Sequence, residues 1–281
     1  MTETITISNE QESKYFTYDI LQAVMKKNGK GIPLNKIYDS KVFWDSMGER
    51  FYKAFDRPEK CGFGVDFFVD RLKELQPVES VLDVGCGFGR LAPFLLQSKM
   101  TSRYTGIDIS SNVLKSSEQY FDTSVRENQD IEKIQGFFMN GQLTDETRGI
   151  VQNDIKSVIE SLKKKAEEKS AKLKPNYMDK VSLSVGVVRK IEFDSNLFDV
   201  VISNECVQHL NYNDAVEACR EIARVSKLWI VMLERWAFPG EHSEPHIWSH
   251  NYSDIFSELG LGVLQITTIA AGLQGVVVRK R

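Results

Sequence analysis

Asp83, Gly85, Gly87 and Gly89 stand together in Asp83-Val84-Gly85-Cys86-Gly87-Phe88-Gly89, after an apolar run and before a helix-like stretch. Alternate glycines remove side chains where a ligand must lie against the backbone. A carboxylate just ahead of them suits a ligand carrying an amine or another cation, and it repels a pyrophosphate. The dinucleotide pattern Gly-x-Gly-x-x-Gly, started at Gly85, needs glycine at position 90, where this chain has Arg90. Asp108 ends the next apolar run, 19 residues beyond Gly89, where an acid can accept both hydroxyls of a ribose. Read alone, Asp108 is equally an ordinary residue at a helix start. A second concentration of chemistry is Glu241 to Tyr252, which holds His242, His246 and His250. Their spacing would place metal ligands on one face of a continuous helix, but Pro245 interrupts any helix there.

The elements that must position these residues alternate. Strands are predicted over 80–84 and 103–108, with helices around 89–97 and 111–120. After an interruption, strands follow over 182–188, 198–203 and 228–233, with a helix over 213–225. Two last strands, 264–269 and 275–279, are joined by a tight Ala-Gly-Leu-Gln turn. Alternation of this kind predicts an α/β, doubly wound, Rossmann-like sheet, mostly parallel and seven-stranded, with an antiparallel C-terminal strand. Residues 1–60 read as an N-terminal helical cap, because Phe43, Trp44, Phe51, Tyr52 and Phe55 recur at helical offsets. The sheet domain takes 61–124 and 181–281. Residues 125–180 read as a helical insertion with a lysine-rich face from Lys163 to Lys174, on which Glu160, Glu167 and Glu168 are interleaved. Its apolar stripe must bury against the domain or against a second subunit, so a homodimer through the insertion is one expectation.

Asp-Val-Gly-Cys-Gly-Phe-Gly at 83–89 resembles the first motif of the class I S-adenosylmethionine-dependent methyltransferases. The resemblance implies that Asp83 and the turn Gly85, Cys86, Gly87, Gly89 and Arg90 hold the methionine end of S-adenosylmethionine, and that Asp108 takes the ribose. It extends to Gly186 through Asp199, similar to the family's adenine-contacting segment. Val187 stands there in place of the usual Asp, so adenine would be held by backbone groups of Val187 and Val188 and packed by Ile109. Phe198 to Leu210 is similar to the fourth motif, which implies that Asn204 and Glu205 face the cofactor. The Asn/Asp-Pro-Pro-Tyr/Phe sequence of base- and amide-methylating enzymes is absent from the chain.

Transfer of a methyl from a sulfonium asks mainly for alignment and a dry pocket. A hydroxyl acceptor also asks for a base or a metal, because its pKa lies far above 7. His209, His246 and His250 are the candidate bases. Packing, for His209, and loop ordering, for the other two, are the competing roles. Trp248 and Tyr252 read either as a platform for a sugar or ring, or as core. The His246 to Tyr252 string resembles segments of saccharide-modifying methyltransferases. The function expected is therefore methyl transfer to a small molecule or saccharide, at a hydroxyl oxygen, with S-adenosylhomocysteine as the product and no metal. A non-catalytic binding or scaffolding protein, or an amine N-methyltransferase, is the competing expectation.

Composition agrees with this class. The 281 residues are 42% hydrophobic, enough for a sizeable core, and 36 basic against 39 acidic side chains leave a net charge of -3. That balance gives no bulk attraction to nucleic acid or an anionic membrane. The acidic, polar start predicts no secretion signal, and no run reaches a membrane span, so a cytoplasmic location is expected. The four cysteines form no Cys-x-x-Cys pair and read as reduced thiols.

Overall fold

The computed structural model describes residues 14–28, 37–55, 64–121, 178–236, 242–244, 246–270 and 272–280. The chain packs as two compact units, one of residues 1–115 with 181–281 and the other of 116–180. The insertion expected at 125–180 lies outside the described residues except for 178–180, and so does its lysine-rich face.

In chain order the helices are α1 (Tyr18–Asn28), α2 (Ser40–Met47), α3 (Glu49–Phe55), α4 (Gly64–Glu74), α5 (Ala92–Gln97), α6 (Ser111–Leu114), α7 (Ser117–Phe121), α8 (Tyr212–Val225) and α9 (Tyr252–Glu258). The strands are β1 (Ser80–Val84), β2 (Arg103–Asp108), β3 (Val181–Val185), β4 (Phe198–Asn204), β5 (Ser226–Arg235), β6 (His242–Glu244), β7 (Ile247–Trp248), β8 (Gly262–Ala270) and β9 (Leu273–Arg279). In the second unit the described parts are α7 and a 3-10 turn, Met178–Lys180.

Seven strands form one sheet in the order β3-β2-β1-β4-β5-β9-β8. Pairing is parallel from β3 to β5, and β9 runs antiparallel to both of its neighbours. β1 is buried along its whole length and β4 at all but one position, as strands covered on both faces must be, and both read as near-continuous apolar runs. One face of the sheet carries Leu82, Val84, Val201, Ile230, Met232, Val276 and Val278. These share a core with Ala215, Ala218 and Ile222 of α8 and with Ile255 and Phe256 of α9. The apolar residues of α8 recur at three- and four-residue steps, and Asn211 caps it by accepting from the Asp214 N–H at 3.1 Å. α4 covers the opposite face, where Phe67 meets Gly275 of β9. Parallel order brings the carboxyl ends of β1, β2, β4 and β5 to one edge, where open α/β sheets bind ligands.

Three predicted elements differ in detail. The helix expected over 111–120 is divided into α6 and α7. The strand expected to reach Val188 stops at Val185, because the Gly186 N–H donates to the Asp108 carbonyl and Val187 then accepts from the Lys190 N–H, closing a turn. The aromatic helix is two helices that meet at Gly48, whose φ of 46° ends α2. Asp39 caps α2 through the Val42 N–H at 2.9 Å. Asp45 then fastens α2 to the loop after β2, accepting from the Ser110 hydroxyl at 2.8 Å, while its carbonyl accepts from Asn112 at 3.1 Å. No helix among the described residues is long and apolar enough to cross a membrane.

A Cβ at Gly275 would lie 2.3 Å from the Phe67 ring, which is itself buried. Gly275→Ala should therefore cost about 1–3 kcal/mol of stability by overpacking, and Phe67→Leu in the same chain should return part of it. Urea denaturation of the two variants reads this directly.

Candidate active site

The turn after β1 begins where the Gly85 and Cys86 N–H groups donate to the Ile107 carbonyl of β2, at 2.8 and 3.0 Å. Gly85, Gly87 and Gly89 have φ of 71°, 60° and 81°, the left-handed region that favours glycine. Close approach matters as much as conformation. A Cβ at Gly85 would lie 2.3 Å from the Cys206 sulfur, and one at Gly87 would lie 2.7 Å from the Phe51 ring. The room freed at these two glycines is thus taken by the protein itself. Ligand space opens beside them, over Gly85 and Asp108.

Two carboxylates flank the turn. Asp108 accepts the Gly87 N–H at 2.9 Å on one oxygen and the Ser110 N–H at 2.8 Å on the other. Burial, only partly offset by these donors, raises its pKa to about 6. Asp83 is 1% exposed. Its Oδ2 accepts from the Tyr104 hydroxyl, and its Oδ1 has no partner. Burial raises Asp83 to about 7, although the Tyr104 hydroxyl and the Arg90 guanidinium pull the other way.

The loop after β4 hangs on Glu234, at the end of β5. This carboxylate has no solvent exposure. Its Oε1 accepts from the Ser203 hydroxyl at 2.6 Å and from the N–H groups of Cys206 and Val207 at 3.1 and 3.2 Å, and its Oε2 accepts from the Gln208 N–H at 3.1 Å. Burial raises its pKa to about 7 against these donors. Gln208 in turn accepts the Arg235 N–H at 2.9 Å. With the loop fixed this way, Glu205 adopts a left-handed φ of 55°, its own N–H held by the Leu233 carbonyl at 2.8 Å. A non-glycine residue in that region marks strain of the kind found at functional sites. Sequence reasoning missed Glu234. The available signal was an acid ending the apolar run Leu228 to Leu233.

Above the sheet edge lies an open-mouthed cavity of about 250 Å³. Gly85, Ile107, Asp108, Ile109 and Gly186 to Val188 line one side. Trp44, Met47, Phe51 and Phe55 of α2 and α3, with His209, Leu210, His246 and Ile247, line the other, and Arg90, Asn204, Glu205 and Cys206 also reach the wall. The Asn204 side chain is buried and neither its oxygen nor its nitrogen has a partner. His209 donates from Nδ1 to the His246 carbonyl at 2.8 Å, and the two imidazoles stack with centroids 5.2 Å apart. Burial, reinforced by the His246 ring, lowers the His209 pKa to about 3 against the carbonyls of His246 and Glu205. Burial alone lowers His246 to about 4. Both rings are neutral at pH 7, and His246 Nδ1 is buried without a partner.

The structure therefore brings Gly85, Arg90, Asp108, Ile109, Val187, Val188, Asn204, Glu205, His209 and His246 to one cavity. Asp83, Cys86, Gly87 and Gly89 stand behind its wall, in and beneath the turn. His250 lies outside it, its Nε2 donating to the Leu210 carbonyl at 2.9 Å, with burial lowering its pKa. Trp248 packs edge-on against Tyr38 at 5.1 Å, and Tyr252 is enclosed in the core that also holds Cys219. Neither lines the cavity. Around the histidines the backbone pairs β6 with β7 as antiparallel strands rather than forming a helix, so the four-residue spacing is not that of one helix face. Among the described residues no three histidine, cysteine, aspartate or glutamate side chains gather as a metal site.

These residues fit S-adenosylmethionine. Behind the glycine turn Asp83 Oδ1 is a buried acceptor without a partner, whose carboxylate favours a cation on the far side of the turn, Asp108 has acceptor capacity left at the cavity wall, Asn204 has an unpaired amide, and Ile109, Val187 and Val188 make an apolar slot.

Two family models, each described as a methyltransferase domain, match residues 81–152 and 139–228. No curated protein sequence matches the chain. Similar solved structures include the magnesium protoporphyrin IX methyltransferase of Synechocystis PCC 6803 with bound SAM, at 13% identity and a TM-score of 0.54, covering 88% of this chain and 100% of that one. The PH0226 protein of Pyrococcus horikoshii OT3 gives 14% and 0.52, covering 83% and 99%. The 1,6-didemethyltoxoflavin-N1-methyltransferase of Burkholderia thailandensis gives 13% and 0.50, covering 83% and 86%. At these identities the likeness is one of fold. The domain matches fall on the strand, the glycine turn and the loop after β4 that build the cavity, and the chain belongs to the class I S-adenosylmethionine-dependent methyltransferases.

Proposed function

We propose that this enzyme methylates a hydroxyl oxygen of a small-molecule acceptor. The observation that carries the reading is the continuity of one cavity from the glycine turn and Asp108 to the aromatic and histidine wall of α2, α3 and the loop after β4. The donor, when bound, supplies an electrophilic methyl on a sulfonium whose charge fades during transfer. In this reading Asp83 pairs with the donor's ammonium, Arg90 and the turn of Gly85, Cys86, Gly87 and Gly89 shape that end, and Asn204 completes it. Asp108 takes the ribose hydroxyls, and Ile109, Val187 and Val188 hold the adenine.

On the acceptor side, His209 and His246 shape the wall and orient the hydroxyl, while His250 braces Leu210 behind them. Imidazoles with conjugate acids near pH 3 and 4 are poor resting places for a proton taken from an alcohol. We assign proton acceptance to the Glu205 carboxylate, which lines the same cavity on a strained backbone. A wall of packed rings also keeps water from that side of the acceptor, so that positioning supplies most of the acceleration.

Two measurements test this reading. Incubation with methyl-labelled donor and a pool of small hydroxylated compounds should yield labelled methyl ethers and S-adenosylhomocysteine, with Glu205→Gln lowering kcat far more than it raises KM. Donor binding without label transfer across the pool would favour a scaffolding protein. The second measurement concerns Asp83. Its pKa near 7 in the free protein means that a proton must leave before the carboxylate can pair with an ammonium. S-adenosylhomocysteine affinity should therefore be level above pH 7 and weaken about tenfold per pH unit below it, with Asp108 adding a second loss below about pH 6. Asp83→Asn should weaken binding on the order of 10- to 100-fold and remove the step near 7. An unchanged step in that variant would assign it to another group.

A further inference from the structure

The acceptor wall is a run of rings in contact. Phe43 stacks on His246 at 4.7 Å, His246 on His209 at 5.2 Å with 3° between their planes, and Trp44 meets His209 edge-on at 4.8 Å. The run continues from Trp44 to Phe51 at 5.6 Å and from Phe51 to Phe55 at 5.0 Å. His246 is stacked on by both Phe43 and His209, which leaves its edge as the part that can meet a ligand. Each ring is wedged by its neighbours, and such a wall has little freedom to adapt its shape.

Polar capacity on this wall is sparse. The Gln208 oxygen is spent on the Arg235 N–H, and His209 Nδ1 is spent on the His246 carbonyl. Among the described residues, Nδ1 of His246, itself 9% exposed, is a buried atom without a partner on the ring side, and the Asn204 amide, assigned above to the donor, is another at the cavity. A saccharide turns hydroxyls outward around its whole rim and loses hydrogen bonds to water at each one that finds no partner. A flat ring with one polar edge loses almost none and gains offset or edge-to-face contact with Trp44 and Phe51. Charge points the same way. The Arg90 guanidinium lies over the rings of Phe51 and Phe55, at 5.9 and 5.3 Å, and within electrostatic reach of Asp83, while Arg189 pairs with Asp214 at 2.8 Å. Among the described residues the cavity therefore carries no cluster of uncompensated cations for a phosphate.

We infer that the acceptor is an uncharged planar ring bearing a phenol- or enol-type hydroxyl, its face against Trp44 and its polar edge toward His246. This rests on the methyl-transfer reading above and narrows it. Such a hydroxyl releases its proton far more readily than an alcohol, which matches a wall whose imidazoles do not hold protons near neutral pH. The methyl carbon leaves sulfur, whose bonding pair stays behind, and forms a bond to the ring oxygen, while the hydroxyl proton passes through Glu205 to solvent. The products are a ring methyl ether, S-adenosylhomocysteine and a proton.

The test offers the full chain methyl-labelled donor with three acceptor sets: planar phenols and catechols, free sugars and polyols, and primary and secondary amines. Label should enter the phenol set at least tenfold faster than either other set. Trp44→Ala should raise KM for the best phenol about tenfold and leave S-adenosylhomocysteine affinity unchanged, while Trp44→Phe should restore most of the loss and so separate stacking from misfolding. Label in sugars but not in phenols overturns the ring inference and leaves hydroxyl methylation standing. Label confined to amines, or to no set while S-adenosylhomocysteine still binds, overturns both.

Discussion

The Glu234 carboxylate is the constraint on which the active site depends. It sits without solvent at the end of β5 and gathers the Ser203 hydroxyl and three successive backbone N–H groups from the loop after β4. Those N–H groups open the short turn Val207–His209, whose unpaired donors attract negative charge as any helix start does. Together with the Glu205 N–H bond to the Leu233 carbonyl, that anchor holds Glu205 at positive φ, seats Cys206 against Gly85 and helps to present His209 to Trp44 and His246. The arrangement sets the burial of a charge against four hydrogen bonds, and burial outweighs them, holding the carboxyl at about 7.

The glycine turn gains a second meaning from the same loop. Alternate glycines were reason enough to expect a ligand against the backbone, and the cavity does open at Gly85. Yet Cys206 and Phe51 occupy the volumes that side chains at Gly85 and Gly87 would need. The turn is therefore also a packing junction, where the loop after β4 and helix α3 both close onto the end of β1.

Sequence patterns expressed the sheet well because its information is local. Apolar runs such as Val81 to Val84 and Phe198 to Ile202, the glycines between strand and helix, and the turn before Leu273 each carry their meaning within a few residues. The Asp108 acid was legible for the same reason, since it ends its own strand. What remained hidden depends on partners far apart in the chain. Glu234 acts on residues 26 to 31 positions away, and the His209 and His246 rings meet across 37. Trp248 and Tyr252 show the converse. An aromatic side chain beside histidines reads as a platform, but only the pairing of β6 with β7 and the placement of α9 decide that one turns to Tyr38 and the other into the core. The division of the aromatic helix at Gly48 was visible as a glycine, though not as the bend that lets both halves roof one cavity.

The origin of the two cavity sides in the chain has a consequence for how such an enzyme can diversify. The side assigned to the donor is made by β1, β2 and the turn at 186–188, whereas the rings opposite come chiefly from residues 43–55, a contiguous stretch that precedes the whole sheet. Replacing that stretch as a cassette would change which molecules fit while leaving the donor machinery nearly intact. The seam is small but specific. Asp45 must still find Ser110 and Asn112, and position 51 must remain compatible with Gly87. Laboratory recombination among relatives of this fold would do best to move residues 40–55 as a block and to carry positions 87, 110 and 112 with it.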